Sequence, residues 1–245
     1  MAWFTRRKEI DDATIEKAHA LVSSLSDSFE DEDILSENNC FHKDGPVLPL
    51  LKKIADHFEE KEAKNEDLVA LYDDISTYAG IIADFDMGAE YAKKCVKIAE
   101  KGLDPAITAD AYFSCSNCLL SAAFSIAASA LDLIYSADNE EHAVDVPDEM
   151  KEKCEAYTAE AVDFFHQTYI LYLKLAIEGA AKLGLVEADL ANKLDDDHIT
   201  ETVDTLTNAL DKSKMESEEM ESILNYIMMA TEMNKQVVLR DLSDV

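Results

Sequence analysis

A chain of 245 residues with 48% hydrophobic and 30% charged side chains is too apolar for a disordered polymer. With only 6 Gly and 4 Pro it is also too poor in turn residues for a strand-rich protein, so the expectation is all-α, a single helical domain over residues 1–245. A formal net charge of -30, from 52 acidic against 22 basic side chains, repels nucleic-acid backbones and anionic membrane surfaces and favours basic partners.

Arg6, Arg7 and Lys8 are followed by Glu9, Asp11 and Asp12 rather than by an apolar run, so no secretion signal is expected. Ile15, Ala18, Val22 and Leu25 then share one face of a helix from about Asp12 to Ser26. The acidic, polar stretch that comes next is expected to be a mobile loop at about 27–44. A second helix starts near Pro46 and buries Val47, Leu50, Leu51, Ile54 and Phe58. A third follows Asn65 with Leu68, Leu71, Tyr72, Ile75, Tyr78, Ala79 and Ile82, and gives way between Asp84 and Gly88. A fourth, with Ala89, Ala92, Val96 and Ala99, stops at Gly102 with Pro105 just beyond, the usual order at a helix C-terminus. The third and fourth helices read as an antiparallel hairpin.

The fifth helix runs from Pro105 to about Ser136, with Tyr112, Cys115, Leu119, Ala122, Ile126, Ala130 and Ile134 at core spacing. Its most apolar part, Cys118 to Tyr135, is rich in Ala and Ser and contains Asp132, which suits a buried helix better than a membrane span. Pro147 opens a long sixth helix that Gly184 closes. The two are expected to pair antiparallel as the central hairpin, with Ala122, Ala123 and Ala130 letting Phe165, Tyr169 and Tyr172 approach. A seventh helix carries Ile199, Val203, Leu206 and Leu210. Ser213 with Glu216 reads as a capping box for an eighth, which uses Met220, Leu224, Ile227, Met228 and Thr231. Met229 lies off that stripe, leaving an adaptable binding surface open beside the core reading of the methionines.

Chemistry finds little support. Cys115 and Cys118 form a CxxC, but deep in a helix and on its core face, where they act as small buried hydrophobes. The odd set of five cysteines fits reduced thiols in a cytoplasm. Glu16 and His19 have the spacing of a di-iron motif, which needs a second copy that the chain lacks. Asp195-Asp196-Asp197 lacks the glycine and terminal glutamate of a calcium loop. There is no phosphate loop, nucleophile elbow or HExxH, so the chain is expected to be non-enzymatic, with no cofactor and no metal.

Residues 73–105 resemble a tetratricopeptide repeat, an approximately 34-residue helix–turn–helix unit. Gly80 falls at the small position of the first repeat helix, Ala92 and Ala99 at those of the second, and Val96 at a large apolar one. Ser76, Ala79, Ala83 and Asp104 depart from the pattern, and no second copy recurs. The arrangement implied is antiparallel helical hairpins, either a tetratricopeptide-like right-handed array or a helical bundle. The resemblance implies a groove-facing side carrying Asp74, Thr77, Ile81, Asp84 and Phe85, acidic and partly apolar. The expected function is a protein–protein interaction protein, an adaptor or chaperone, that binds a basic or amphipathic peptide or protein and neither nucleic acid nor membrane directly. The alternative is an acidic mimic of nucleic acid that inhibits a DNA-binding protein, on the charge alone.

Overall fold

The computed structural model describes residues 47–60, 64–136, 146–194, 198–213 and 218–241. Among them the chain forms seven α-helices, one 3-10 helix and no strand. The helices are α1 (Val47–Glu60), α2 (Asn65–Ile81), α3 (Phe85–Ala99), α4 (Pro105–Ser136) and α5 (Asp148–Lys182). After the 3-10 helix (Ala188–Lys193) come α6 (Ile199–Ser213) and α7 (Glu218–Asp241). The helix expected at 12–26, the loop at 27–44, the Glu16 and His19 pair, and Asp195 to Asp197 lie outside the described residues.

Local chemistry explains the breaks. Asp84 caps α3: its Oδ1 accepts from the Met87 N–H at 3.5 Å, one of the amides that the helix start leaves without a partner. Between α2 and α3 the chain reverses through Ala83, a non-glycine residue at φ 57°. Gly102 at φ 97° and Gly184 at φ 72° end α3 and α5 in the conformation that glycine adopts without strain. After α5 the Leu185 N–H reaches the Ala180 carbonyl at 2.9 Å, and Gly184 N–H reaches that of Ala181, so the last carbonyls keep partners. Asp104 accepts from the Ala106 N–H at 2.8 Å at the start of α4.

Helices α1 to α5 each pack on their neighbour in the chain, and α7 returns along α5. Two cores result. The first joins α1 to α4 through Leu51, Ile54, Leu71, Tyr78, Val96 and Leu119; the second joins α5, α6 and α7 through Tyr169, Leu173, Ile177, Leu206 and Ile223. Leu120 and Leu171, on the central hairpin, touch both. A fully enclosed leucine such as Leu119 or Leu173 gains about 1.5–3 kcal/mol by leaving water. Backbones come close where side chains are smallest. A Cβ on Gly88 would stand 3.3 Å from the Ser76 carbonyl oxygen across α2 and α3, and one on Gly179 would stand 2.8 Å from Cγ1 of Ile223 across α5 and α7.

Tyrosines tie the array sideways. Tyr72 on α2 donates to Glu59 on α1, Tyr112 on α4 to Glu100 at 2.9 Å, Tyr157 on α5 to Asp86 on α3 at 3.0 Å, and Tyr172 on α5 to Asp110 on α4 at 2.5 Å. Burial, reinforced by the accepting carboxylate, raises the pKa of each phenol, that of Tyr112 to about 12.

Several expectations change in detail. The central pair is antiparallel, but its register differs. Cys154 lies against the Ala123 carbonyl (3.6 Å), while Phe165 packs on Phe113 and Tyr172 reaches Asp110. Buried Ala122 and Ala123 therefore face the start of α5 rather than its aromatic middle. Ser213 ends α6, with its hydroxyl donating to the Leu210 carbonyl, and α7 begins later, at Glu218. Of the repeat-like residues Ala92, Val96 and Ala99 are buried, whereas Gly80 is exposed with open space beside it, and Gly88 makes the close approach instead. On α7 Met229 packs on the second core, and it is Met228 and Leu224 that stand exposed.

Candidate functional site

Of the five residues expected on a groove, Asp74, Thr77 and Ile81 recur at helical spacing along α2, Asp84 precedes α3 and Phe85 is its first residue. Thr77 is exposed; Asp74, Ile81 and Phe85 are half-buried, and Ile81 packs on the first core. Asp84 serves as the α3 cap. Ile81 and Asp84 are thus committed to holding the hairpin.

Thiol chemistry has no support in the interior. Burial raises the pKa of Cys95 to about 12 and of Cys118 to about 11, and it pushes Cys115 up as well, so all three stay protonated. Among the described residues no three His, Cys, Asp or Glu side chains are grouped to hold a metal ion. His166 is half-buried with its ring 6.3 Å from that of Tyr169.

His166 also borders a groove of about 530 Å³ between the α3–α4 turn and the outer face of α5. Leu103, Tyr112, Ile170 and Leu171 make its walls apolar, and Glu100 in its rim is engaged by Tyr112. Its size lies within the range of small-ligand clefts.

The largest departure from expectation is the far end of α4. Ile134, read as a core residue, is 44% exposed, Phe124 is 70% exposed and Leu131 is 51% exposed; Leu133 is exposed too. The cause is where the neighbours begin. Asp86, in the first turn of α3, accepts from Tyr157 and pairs with Lys153 at 2.8 Å. Given Cys154 opposite Ala123, antiparallel counting puts the start of α3 level with roughly Phe124 and the start of α5 level with roughly Ser129. From there α4 runs on while its flanks fall away.

Three of these four exposed side chains are ordered, with half-buried Leu120 and Ala127 continuing their row and Leu133 lying off it. Leu120, Phe124, Ala127, Leu131 and Ile134 alternate spacings of four and three, which keeps them in one row along the helix. The row starts inside the protein, where Leu120 touches both cores, and ends outside it. Between Asp110 and Asp132 the helix has no charged side chain at all, in a chain of net charge -30. Asp132 on α4 is exposed next to Leu131, whereas Glu149 and Lys153 on the first turns of α5 face Ser125, Ile126 and Ser129, on the side of α4 away from the row. A small cleft of about 340 Å³, with Ile126 and Met150 in its lining, separates the two helices there.

By length and composition α4 is the one helix among the described residues that could cross a membrane, with a mean hydropathy of 1.6 and 17% of that window buried. A core helix of a soluble protein passes the same test, and Tyr112, Cys115 and Leu119 on its first half are core residues. The signal for the exposed row was present in the sequence as a stretch uncharged on every face. Comparison with protein-family models, with curated proteins and with solved structures gives no match.

Proposed function

We propose that this protein is a non-enzymatic interaction protein of the cytoplasm, an adaptor or chaperone whose tetratricopeptide-like hairpins hold a surface for a basic or amphipathic protein or peptide. The observation that carries the reading is the apolar row at the end of α4: large side chains are exposed on a helix that has no charge between Asp110 and Asp132, within a strongly acidic protein. An ordered, exposed apolar patch is the usual form of a protein contact surface. The chain's net charge of -30 selects against anionic partners and raises the encounter rate with basic ones. The α2–α3 edge with Asp74, Thr77, Ile81, Asp84 and Phe85 is a second, acidic contact area for the same partner.

The test is photocrosslinking in cells from a benzophenone side chain placed at Phe124, with a second probe at Thr77. A distinct basic protein captured at Phe124, and lost when Leu131 is changed to Glu, supports the reading. Crosslinks to lipid alone, or none above an exposed control site such as Lys212, overturn it. An acidic mimic of nucleic acid would instead capture a DNA-binding protein through the charged faces, would be insensitive to Leu131→Glu, and would be competed off by DNA.

A further inference from the structure

The groove between the α3–α4 turn and α5 is lined by one carboxylate, Glu100, and one ammonium, Lys174. Neither forms an ion pair with the other or with any other described residue. We infer that this groove binds a short apolar zwitterion, a dipeptide with two apolar side chains and free ends, whose ammonium meets Glu100 and whose carboxylate meets Lys174. The site is separate from the row on α4 and adds a small ligand to the protein partner proposed above.

The first argument is spacing. Lys93 bonds to Glu160 and Asp86 to Tyr157, so α3 and α5 lie side by side and parallel, at sequence offsets of 67 and 71 residues. Glu100 still has helical backbone angles, and the same offsets set it level with Gln167 to Leu171, one to two turns short of Lys174. That separation is about 5–11 Å along the helix. An extended dipeptide spans about 7 Å, a single amino acid about half of that and a tetrapeptide about twice. The second argument is charge. Tyr112 donates to one oxygen of Glu100 at 2.9 Å, which orients the carboxylate without neutralising it. A ligand with a carboxylate alone meets Glu100 and a net charge of -30, and an amine alone is set beside Lys174. A zwitterion answers both heads and carries no net charge. The third is the wall. Half-buried Leu103, Ile170 and Leu171 and the ring of Tyr112 are apolar, and the volume of about 530 Å³ lies in the lower half of the range for ligand clefts. Two apolar side chains suit it; a polar or much longer peptide does not.

The probe is the dipeptide Leu-Leu, titrated into the full chain by isothermal calorimetry beside N-acetyl-Leu-Leu, Leu-Leu amide and Gly-Gly. The protein variants are Glu100→Gln, which keeps an acceptor for Tyr112, Lys174→Gln, and Lys212→Gln as an exposed control, each checked for an unchanged helical melt. Leu-Leu is expected to saturate and to bind at least about fivefold more tightly than either blocked form or Gly-Gly. Glu100→Gln should weaken Leu-Leu by about fivefold and leave the acetylated form unweakened, and Lys174→Gln should weaken Leu-Leu as much and leave the amide unweakened. Lys212→Gln should change nothing. No saturation by about 10 mM Leu-Leu overturns the inference. Equal binding of the blocked and free forms reduces the site to an apolar groove without charge recognition, and tighter binding of the amide or of the acetylated form assigns it to amines or to carboxylates; each of these results overturns it as well.

Discussion

Leu119 and Leu131 are the same residue type, twelve positions apart on one helix, and α4 places them in opposite environments. Leu119 is fully enclosed in the first core, whereas Leu131 is 51% exposed on the apolar row. Truncating Leu119 to Ala removes buried methyl groups and leaves a cavity, a change that costs about 2–5 kcal/mol. For a chain of this size each kcal/mol moves the melting midpoint by about 2–4 °C, so Leu119→Ala should lower it by roughly 4–20 °C. Leu131→Ala removes atoms that already meet water on one side, and Ala is slightly the better helix former, so the net change should stay within about 0.5 kcal/mol, or roughly 1–2 °C. Differential scanning calorimetry at two protein concentrations decides the matter. Equal losses for the two variants would refute the placement of the α4 end, for Leu131 would then be packed in solution. A midpoint that rises with protein concentration in the parent and not in Leu131→Ala would show that another copy does the packing.

Three further outcomes test the frame. Gly179→Ala puts a methyl group 2.8 Å from Cγ1 of buried Ile223. The expected overpacking of about 1–3 kcal/mol exceeds the gain of about 1 kcal/mol from replacing helical glycine, and a double-mutant cycle with Ile223→Ala should show coupling of about 1 kcal/mol or more by urea denaturation. Ala83→Gly, at φ 57°, should be neutral to stabilising by up to about 1 kcal/mol, whereas Gly102→Ala, at φ 97°, should cost about 1 kcal/mol or more in the same assay. Burial raises the Asp73 carboxyl above its ordinary 3.8, against a lowering from the Ser114 hydrogen bond. Its contribution to stability is therefore present below about pH 4 and is lost as pH rises through the elevated folded value. Asp73→Asn should accordingly raise the melting midpoint relative to the parent at pH 7 more than at pH 3.5; a difference independent of pH would show that Asp73 is not shifted.

Much of the framework was legible because local signals and tertiary structure agree. Gly102, Pro105 and Gly184 mark helix ends by backbone chemistry alone, and the helical spacing of Leu71, Ile75 and Tyr78 or of Ala92, Val96 and Ala99 reports faces that are indeed buried. The pairing of α4 with α5 followed from their apolar length, but their register did not, because it is set by the connection between them and by which side chains interlock. Asp84 was read as a contact residue although an acid just before a helical run is also the mark of a cap, the role it takes here. The row on α4 was missed for a related reason. Periodicity shows that a face is apolar, and whether anything covers it depends on where α3 and α5 begin, which is a property of other segments of the chain. Ile134 and Ala122 share a pattern, and only the distance to the next helix separates them.

The tyrosine bonds between helices have a consequence for how this protein meets concentrated electrolyte. With 52 acidic and 22 basic side chains, most carboxylates have no cation to face, and the chain repels itself. Tyr72, Tyr112 and Tyr172 connect neighbouring helices to Glu59, Glu100 and Asp110 through a neutral donor. Added ions weaken the self-repulsion, as they weaken any exposed pairing of opposite charges, yet they have little hold on a partly buried hydroxyl that bears no charge. The balance tilts toward the folded state as ionic strength rises, so the molecule gains cohesion in the brines where a fold held by surface ion pairs would lose it.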